Sequence, residues 1–127
     1  MVIAVIDDEP LDRQICTTLF RLSSKDAKLL SFSNAEEALL YYVNNASLAQ
    51  NLPDIVILDL RMPLMNGWEY LDAYTELEKK LVKKAVHYVC TSSIDPKDLS
   101  CRNYNLRGFF SKPFEKEYAE KLIEENA

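Results

Sequence analysis

The sequence has a single histidine and no CxxC motif, and its three cysteines, Cys16, Cys90 and Cys101, are widely spaced. Zinc sites in proteins are built mainly from histidine and cysteine ligands, so this composition argues against zinc. An odd number of distant cysteines is typical of reduced, mostly buried thiols in a cytosolic protein. We therefore expect neither a zinc site nor a disulfide framework.

The sequence also lacks an excess of positive charge and any long hydrophobic run. Its net charge is −5 at pH 7, which argues against a general nucleic-acid-binding protein. A helix needs roughly 20 apolar residues to cross a bilayer, and no stretch approaches that length. The apolar run after Met1 is short and meets Asp7 and Asp8, so we expect no signal peptide and a cytoplasmic location without membrane contact.

The 127 residues, 48% of them hydrophobic, fit one globular domain over residues 1–127. Short apolar runs alternate with amphipathic stretches. The predicted strands are Val2–Ile6, Leu29–Phe32, Ile55–Leu58, Val86–Cys90 and Gly108–Ser111. A helix is predicted after each strand, the last over Glu115–Glu125. This (βα)5 alternation predicts an α/β fold with a doubly wound parallel sheet, helices on both faces and right-handed crossovers.

Several helix starts carry a recognisable signal. Pro10 suits the first turn of the first helix, where a missing N–H costs little. The apolar residues predicted to share one face of that helix are Leu11, Ile15, Leu19 and Leu22. Ser33, with Glu36 three residues later, is typical of a capping box at the second helix. Asp95 and Pro96 predict the start of a fourth helix.

Charged and polar side chains follow four of the five predicted strands. Asp7 and Asp8 end the first strand, Asp59 the third, Thr91 the fourth and Lys112 the fifth. In a doubly wound sheet, ligands bind outside the carboxyl ends of the strands. We therefore expect these side chains to converge on one edge of the sheet.

The chemistry of this set favours phosphoryl transfer. Carboxylates held close together repel one another unless a cation neutralises them, and several oxygen ligands suit Mg²⁺. Asp59 would be a carboxylate nucleophile that forms an aspartyl phosphate. Lys112 and Thr91 would supply a charge and a hydroxyl donor to phosphoryl oxygens.

Each of these residues also has a simpler interpretation on its own. Asp7 and Asp8 could cap a helix, Thr91 could bond to backbone, and a lone lysine is usually a surface residue. Their coincidence at the ends of one sheet favours the functional interpretation. His87 lies inside the fourth strand, and we expect its role to be structural.

At these residues the sequence resembles the receiver domain of two-component response regulators. The motifs that carry the resemblance are Val5–Pro10 (VIDDEP), Ile57–Pro63 (ILDLRMP) with Asn66–Gly67, Cys90–Ser92 (CTS) and Phe110–Phe114 (FSKPF). Each motif is weak alone, but their order and spacing together are specific. The resemblance covers essentially the whole chain.

The resemblance implies a flavodoxin-like fold with strand order 2-1-3-4-5 and a tight loop from Asp59 to Gly67. It implies that Asp59 is the phosphoacceptor, supplied by a phosphohistidine on a sensor histidine kinase or a phosphotransfer protein. Asp8 and Asp59 would bind Mg²⁺ directly, together with the backbone carbonyl of Arg61. Asp7 would act mainly through metal-bound water.

The resemblance also implies a conformational switch. Lys112 and Thr91 would hold the phosphoryl oxygens, and the Lys112–Pro113 bond would be cis. Thr91 would move toward the phosphate and Phe109 would follow it inward. The face made by the fourth helix, fifth strand and closing helix would then bind a downstream protein or a second copy of the chain.

We expect a stand-alone receiver, with a piece of a longer hybrid kinase or regulator as the alternative. It would catalyse only its own phosphorylation and dephosphorylation and would otherwise not be an enzyme. A phosphatase with an aspartate nucleophile would carry a second acid two residues later, where this chain has Arg61. A flavodoxin-type nucleotide module would need a Gly/Ser/Thr-rich first loop instead of Asp7–Pro10. A receiver-shaped binding module that is never phosphorylated is the remaining alternative.

Overall fold

The computed structural model describes residues 1–92 and 106–127. The strands are β1 (Val2–Ile6), β2 (Lys28–Phe32), β3 (Ile55–Leu58), β4 (Val86–Thr91) and β5 (Leu106–Ser111). The α-helices are α1 (Pro10–Ser23), α2 (Ala35–Asn44), α3 (Gly67–Leu77) and α4 (Lys116–Glu125), with 3-10 turns at Ala49–Asn51 and Glu78–Lys80. The helix predicted at Asp95 and Pro96 and the third cysteine, Cys101, lie outside the described residues.

The five strands form one parallel sheet in the order β2-β1-β3-β4-β5, which confirms the expected order. In β1 the register places Ile6 level with Phe32 on one side and Leu58 on the other. Thr91 at the end of β4 is level with Ser111 at the end of β5. The strands therefore finish at a common edge, where the residues that follow them meet.

Two apolar cores, one on each face, bury the sheet. The first joins the sheet to α2 and α3, through residues that include Ala35, Ala38, Tyr42, Tyr70, Leu71 and Tyr74. The second joins it to α1 and α4, through residues that include Cys16, Phe20, Phe114, Ala119 and Leu122. Every residue of β1 and β3 is buried, which explains their uninterrupted apolar sequences. Within the described ranges, no helix is long and apolar enough to span a bilayer.

The apolar face predicted for α1 is buried only in part, since Leu19 packs against the second core but the residues at its two ends do not. Leu11 and Leu22 are 67% and 70% exposed, whereas Cys16 and Phe20 are buried. Phe20 packs against Phe114, with 5.2 Å between ring centroids. The helix is covered by both the sheet and α4, so the stripe that faces these two neighbours is rotated from the one chosen by leucine spacing alone.

The predicted capping box at Ser33 and Glu36 is also wrong, by one residue. The N-cap of α2 is Asn34, whose side chain accepts a 2.8 Å hydrogen bond from the backbone N–H of Glu37. Ser33 instead donates its hydroxyl to the Glu37 carboxylate, at 3.0 Å. Serine and asparagine are about equally good N-caps, and the backbone geometry selects between them.

His87 lies buried in β4, as expected of a structural residue. Its Nδ1 lies 3.2 Å from the Ala85 carbonyl oxygen, and its Nε2 lies 2.9 Å from the Tyr70 hydroxyl. The Tyr70 hydroxyl is in turn 3.0 Å from that of Tyr42. A neutral imidazole that donates through Nδ1 and accepts through Nε2 satisfies this chain. Burial lowers the pKa of His87 to about 4, so the ring is neutral at pH 7.

We predict that acidification weakens the wild-type chain relative to the His87→Gln variant. His87 has a folded-state pKa of about 4, below the ordinary 6.5, so the unfolded chain takes up the proton first and stability falls as pH drops below 6.5. The unfolding free energy of the wild type minus that of His87→Gln should fall by about 1 kcal/mol from pH 7 to pH 5.5. Urea unfolding without divalent cations measures it. A difference that does not change with pH would contradict the prediction.

Candidate functional site

The sheet hydrogen bonds continue past the strand ends and fix the first residues of the site. The Asp7 N–H donates to the Phe32 carbonyl at 3.1 Å, and the Asp59 N–H donates to the Ile6 carbonyl at 3.0 Å. Both aspartates are buried, with 6% and 5% of their surface exposed. The Lys112 N–H bonds to the Thr91 carbonyl in the same way, at 3.0 Å. The predicted convergence of these residues on one edge is confirmed.

Three carboxylates form a compact group at this edge. Asp7, Asp8 and Asp59 each offer an oxygen, and these oxygens all lie within 4.8 Å of one another. Asp8 is half-buried, whereas the other two are buried. The Arg61 N–H donates to Asp59 Oδ1 at 3.3 Å, while the Arg61 side chain is exposed. Hard oxygen donors at this spacing fit a small divalent cation such as Mg²⁺.

The Lys112 ammonium group reaches into this group of carboxylates. Its Nζ lies 2.7 Å from Asp7 Oδ2, 3.0 Å from Asp12 Oδ2 and 3.3 Å from Asp59 Oδ2. Burial alone would lower the pKa of Lys112, but hydrogen bonds to Asp7 and Asp12 outweigh burial and raise the pKa above its usual value. The lysine therefore stays protonated and supplies a fixed positive charge.

One ammonium group does not fully stabilise the ionised form of Asp7. Burial raises the pKa of Asp7 to about 6, although hydrogen bonds from Lys112 and from the Glu9 N–H, at 2.9 Å, act in the opposite direction. The nearby charge of Asp59 raises the pKa further. The ionised form of Asp7 is therefore disfavoured mainly by burial and to a smaller extent by the neighbouring Asp59 charge.

The loop after β3 closes tightly around Asp59, as expected. The Gly67 N–H donates to the Leu60 carbonyl at 2.9 Å. A Cβ atom at Gly67 would lie 2.8 Å from both the Asp59 carbonyl oxygen and Leu60 Cα. Asn66 and Glu69 form a capping box at the start of α3. Sequence reasoning missed this box, although the Asn-x-x-Glu spacing signals it.

Thr91 and Phe109 lie on the neighbouring strands β4 and β5. Thr91 is fully buried, and its hydroxyl has no hydrogen-bond partner among residues 1–92 and 106–127. Phe109 is half-buried on β5 and pairs in register with Val89. The Lys112–Pro113 bond is cis, which confirms that expectation. A buried hydroxyl without a hydrogen-bond partner is unusual in a folded protein.

Asp12 is the site residue that sequence reasoning missed. It lies in the first turn of α1 and not at a strand end. Asp12 and Cys16 are four residues apart, so they lie on the same side of the helix. Because the buried stripe of α1 contains Cys16, its first turn directs Asp12 to the edge of the sheet. Sequence reasoning considered only residues that follow strands, and it therefore missed an acid within the first turn of a helix.

Comparisons with known proteins agree with this geometry. The family model described as "Response regulator receiver domain" matches residues 3–124. The sensory transduction protein LytT of Enterococcus faecalis is 25% identical over 124 residues, which are 98% of this chain and 47% of that protein. The two-component response regulator ORR1 of Oryza sativa subsp. japonica is 25% identical over 94% of this chain and 52% of that protein. The chain thus spans about half the length of these curated relatives.

Solved structures show the same fold. A two-component response regulator from Cytophaga hutchinsonii superposes with a TM-score of 0.85 at 23% identity, covering 98% of this chain and 94% of that one. One from Legionella pneumophila gives a TM-score of 0.82 at 25% identity, covering 97% and 95% of the two chains.

We predict that Gly67→Ala destabilises the fold, whereas Gly108→Ala does not. The added Cβ at Gly67 would meet backbone atoms at 2.8 Å, so the loop that carries Asp59 must shift, at a cost of about 2 kcal/mol. At Gly108, the only other glycine, the Cβ would meet only the Tyr88 side chain, at 3.4 Å. Urea unfolding of both variants measures this. Equal stability of the two variants would contradict the account of the loop.

Proposed function

The chain belongs to the response regulator receiver domain family of two-component signalling, and we propose on this basis that it accepts a phosphoryl group on Asp59. The observation that carries the proposal is the arrangement around Asp59. Its carboxylate is buried among two other acids within 4.8 Å and lies 3.3 Å from the Lys112 ammonium. This is a nucleophile with a cation site and a fixed positive charge beside it.

Asp8 and Asp59 would hold Mg²⁺ directly, with the backbone carbonyl of Arg61, and Asp7 would bind through metal-bound water. The spacing of the three carboxylates supports this assignment, since hard oxygen donors are the ligands that Mg²⁺ prefers. The bound ion would neutralise charge on the carboxylates and on the incoming phosphoryl group.

The phosphoryl donor would be a phosphohistidine on a sensor histidine kinase or a phosphotransfer protein. An Asp59 carboxylate oxygen would form a bond to phosphorus as the phosphorus–nitrogen bond breaks. The imidazole would leave with the electron pair and take a proton from solvent. Lys112 and Thr91 would contact the phosphoryl oxygens, and their contribution would be positioning and charge.

Hydrolysis would reset the site. Water would attack phosphorus, the bond to the Asp59 oxygen would break, and the carboxylate and inorganic phosphate would result. The chain would thus act on its own phosphoryl group and on no other substrate. An aspartate-nucleophile phosphatase is not favoured, because the position two residues after Asp59 is the exposed Arg61 and not an acid.

The buried hydroxyl of Thr91 would couple phosphorylation of Asp59 to the surface of the chain. It has no partner among the described residues, and a phosphoryl oxygen on Asp59 would supply an acceptor. Movement of Thr91 would open space for Phe109 to turn from its half-buried position toward the sheet. The surface along β5 and α4 would then change and bind a downstream protein, or a second phosphorylated copy. The two states would be a biased equilibrium.

We predict a Mg²⁺-dependent mass gain of one phosphoryl group when the wild-type chain is incubated with acetyl phosphate. Asp59→Asn should abolish the gain because it removes the nucleophile. Asp54→Asn is the matched control, since Asp54 precedes the same strand at its opposite end and bonds to the Val2 N–H. Intact mass spectrometry with and without Mg²⁺ measures the gain.

Two outcomes of that experiment would contradict the proposal. A gain that persists in Asp59→Asn would place the phosphoryl group elsewhere. No gain in a folded wild-type chain would favour a receiver-shaped binding module that acts without phosphorylation.

A further inference from the structure

The Lys112 ammonium group has three carboxylate partners, and the least expected of them is Asp12. The distances from Nζ are 2.7 Å to Asp7, 3.0 Å to Asp12 and 3.3 Å to Asp59. Asp12 is thus closer to the ammonium group than the proposed phosphoacceptor is. It approaches from the first turn of α1, and its side chain is 34% exposed, whereas that of Lys112 is only 13% exposed.

Three partners occupy the full donor capacity of the lysine, because an ammonium group has three N–H donors and no acceptor. A phosphoryl oxygen can therefore gain a hydrogen bond from Lys112 only if a carboxylate gives one up. Each partner that stays in place also keeps its negative charge near the incoming phosphoryl group.

Asp12 differs from the other two partners in its relation to the proposed metal site. Asp7 and Asp59 belong, with Asp8, to the three carboxylates whose oxygens lie within 4.8 Å of one another. Asp12 is not a member of that group. A cation held there would compensate for the charges of Asp7 and Asp59, whereas Asp12 would still compete for the ammonium group.

We propose that Asp12 is a positioning residue that holds the Lys112 ammonium group toward α1 and so slows phosphoryl uptake on Asp59. The inference rests on the phosphoacceptor function proposed above. Asp12 would slow the reaction because it occupies one N–H donor of Lys112, and a neutral residue at this position would leave that donor open to the phosphoryl group. The phosphoryl donor affected most is one that carries two negative charges.

Asp12 has a second physical role that the test must separate from this one. A carboxylate in the first turn of a helix also interacts favourably with the helix dipole, and this role affects stability. The ion pair of Asp12 with Lys112 instead affects the rate of phosphoryl uptake and the dependence of that rate on salt. Asp12→Glu keeps the charge and the reach to Lys112, so it should restore behaviour near that of the wild type.

The experiment measures the second-order rate of phosphoryl uptake from acetyl phosphate at saturating Mg²⁺, by intact mass. Asp12→Asn, and Asp12→Ser as a second neutral variant, should react about three- to tenfold faster than the wild type at low salt. The gain should shrink as salt is raised to about 0.5 M, because salt screens charge. Glu9→Gln is the matched control, because it removes an exposed charge next to α1 but none of the three Lys112 ion pairs.

The outcomes separate this inference from the function on which it rests. Neutral variants that fold but react at the wild-type rate, or more slowly, would overturn the inference that Asp12 slows phosphoryl uptake. The wild-type reaction would then still support Asp59 as the phosphoacceptor. An equal acceleration in Glu9→Gln would also overturn the inference about Asp12, because the loss of any nearby negative charge, and not the loss of the contact with Lys112, would then explain the effect. No uptake by the wild type would overturn both.

Discussion

One ammonium group holds the carboxyl edge of the sheet together. Lys112 follows β5, yet its three carboxylate partners come from the end of β1, the first turn of α1 and the end of β3. Buried carboxylates this close are tolerated only with a partner of opposite charge, and removal of that partner would leave them uncompensated. The ion cluster therefore links four elements and requires the central strands to end at the same level, which their register provides.

The helices and the loop after β3 hold the residues at this edge of the sheet in place. Helices on both faces bury β1 and β3, so the aspartates that follow those strands start from rigid backbone. The close approach of Gly67 to Leu60 fixes the loop after Asp59. One positive charge serves three carboxylates here, because Asp7, Asp12 and Asp59 share the Lys112 ammonium group. The hydroxyl of Thr91 has no hydrogen-bond partner within the described residues. These two unmet needs, for a cation and for an acceptor, are those that a metal ion and a phosphoryl group would meet.

Sequence patterns predicted the strands and the convergence of the site because uninterrupted apolar runs that meet an acid are a strong local signal. The strand order came from the resemblance to a family and not from the patterns. The phase of α1 could not be predicted, because spacing fits more than one stripe and the contact between Phe20 and Phe114 depends on tertiary packing. Asp12 was missed because only residues that follow strands were considered for the site, and Asp12 lies in the first turn of α1. The choice of Asn34 over Ser33 as a cap depends on backbone angles that two good capping residues leave open.

We infer that the three carboxylates beside Lys112 form a site that a small divalent cation completes. The most direct measurement is the melting temperature against Mg²⁺ concentration, with fluorescence of Trp68, the single tryptophan, as the unfolding signal. We expect a saturable rise for the wild type and for the control variant Asp26→Asn, in which the replaced side chain is exposed, because an ion bound only by the folded chain stabilises it. Asp8→Asn should reduce the rise strongly. A wild-type melting temperature independent of Mg²⁺, or an equal rise in Asp8→Asn, would contradict the claim.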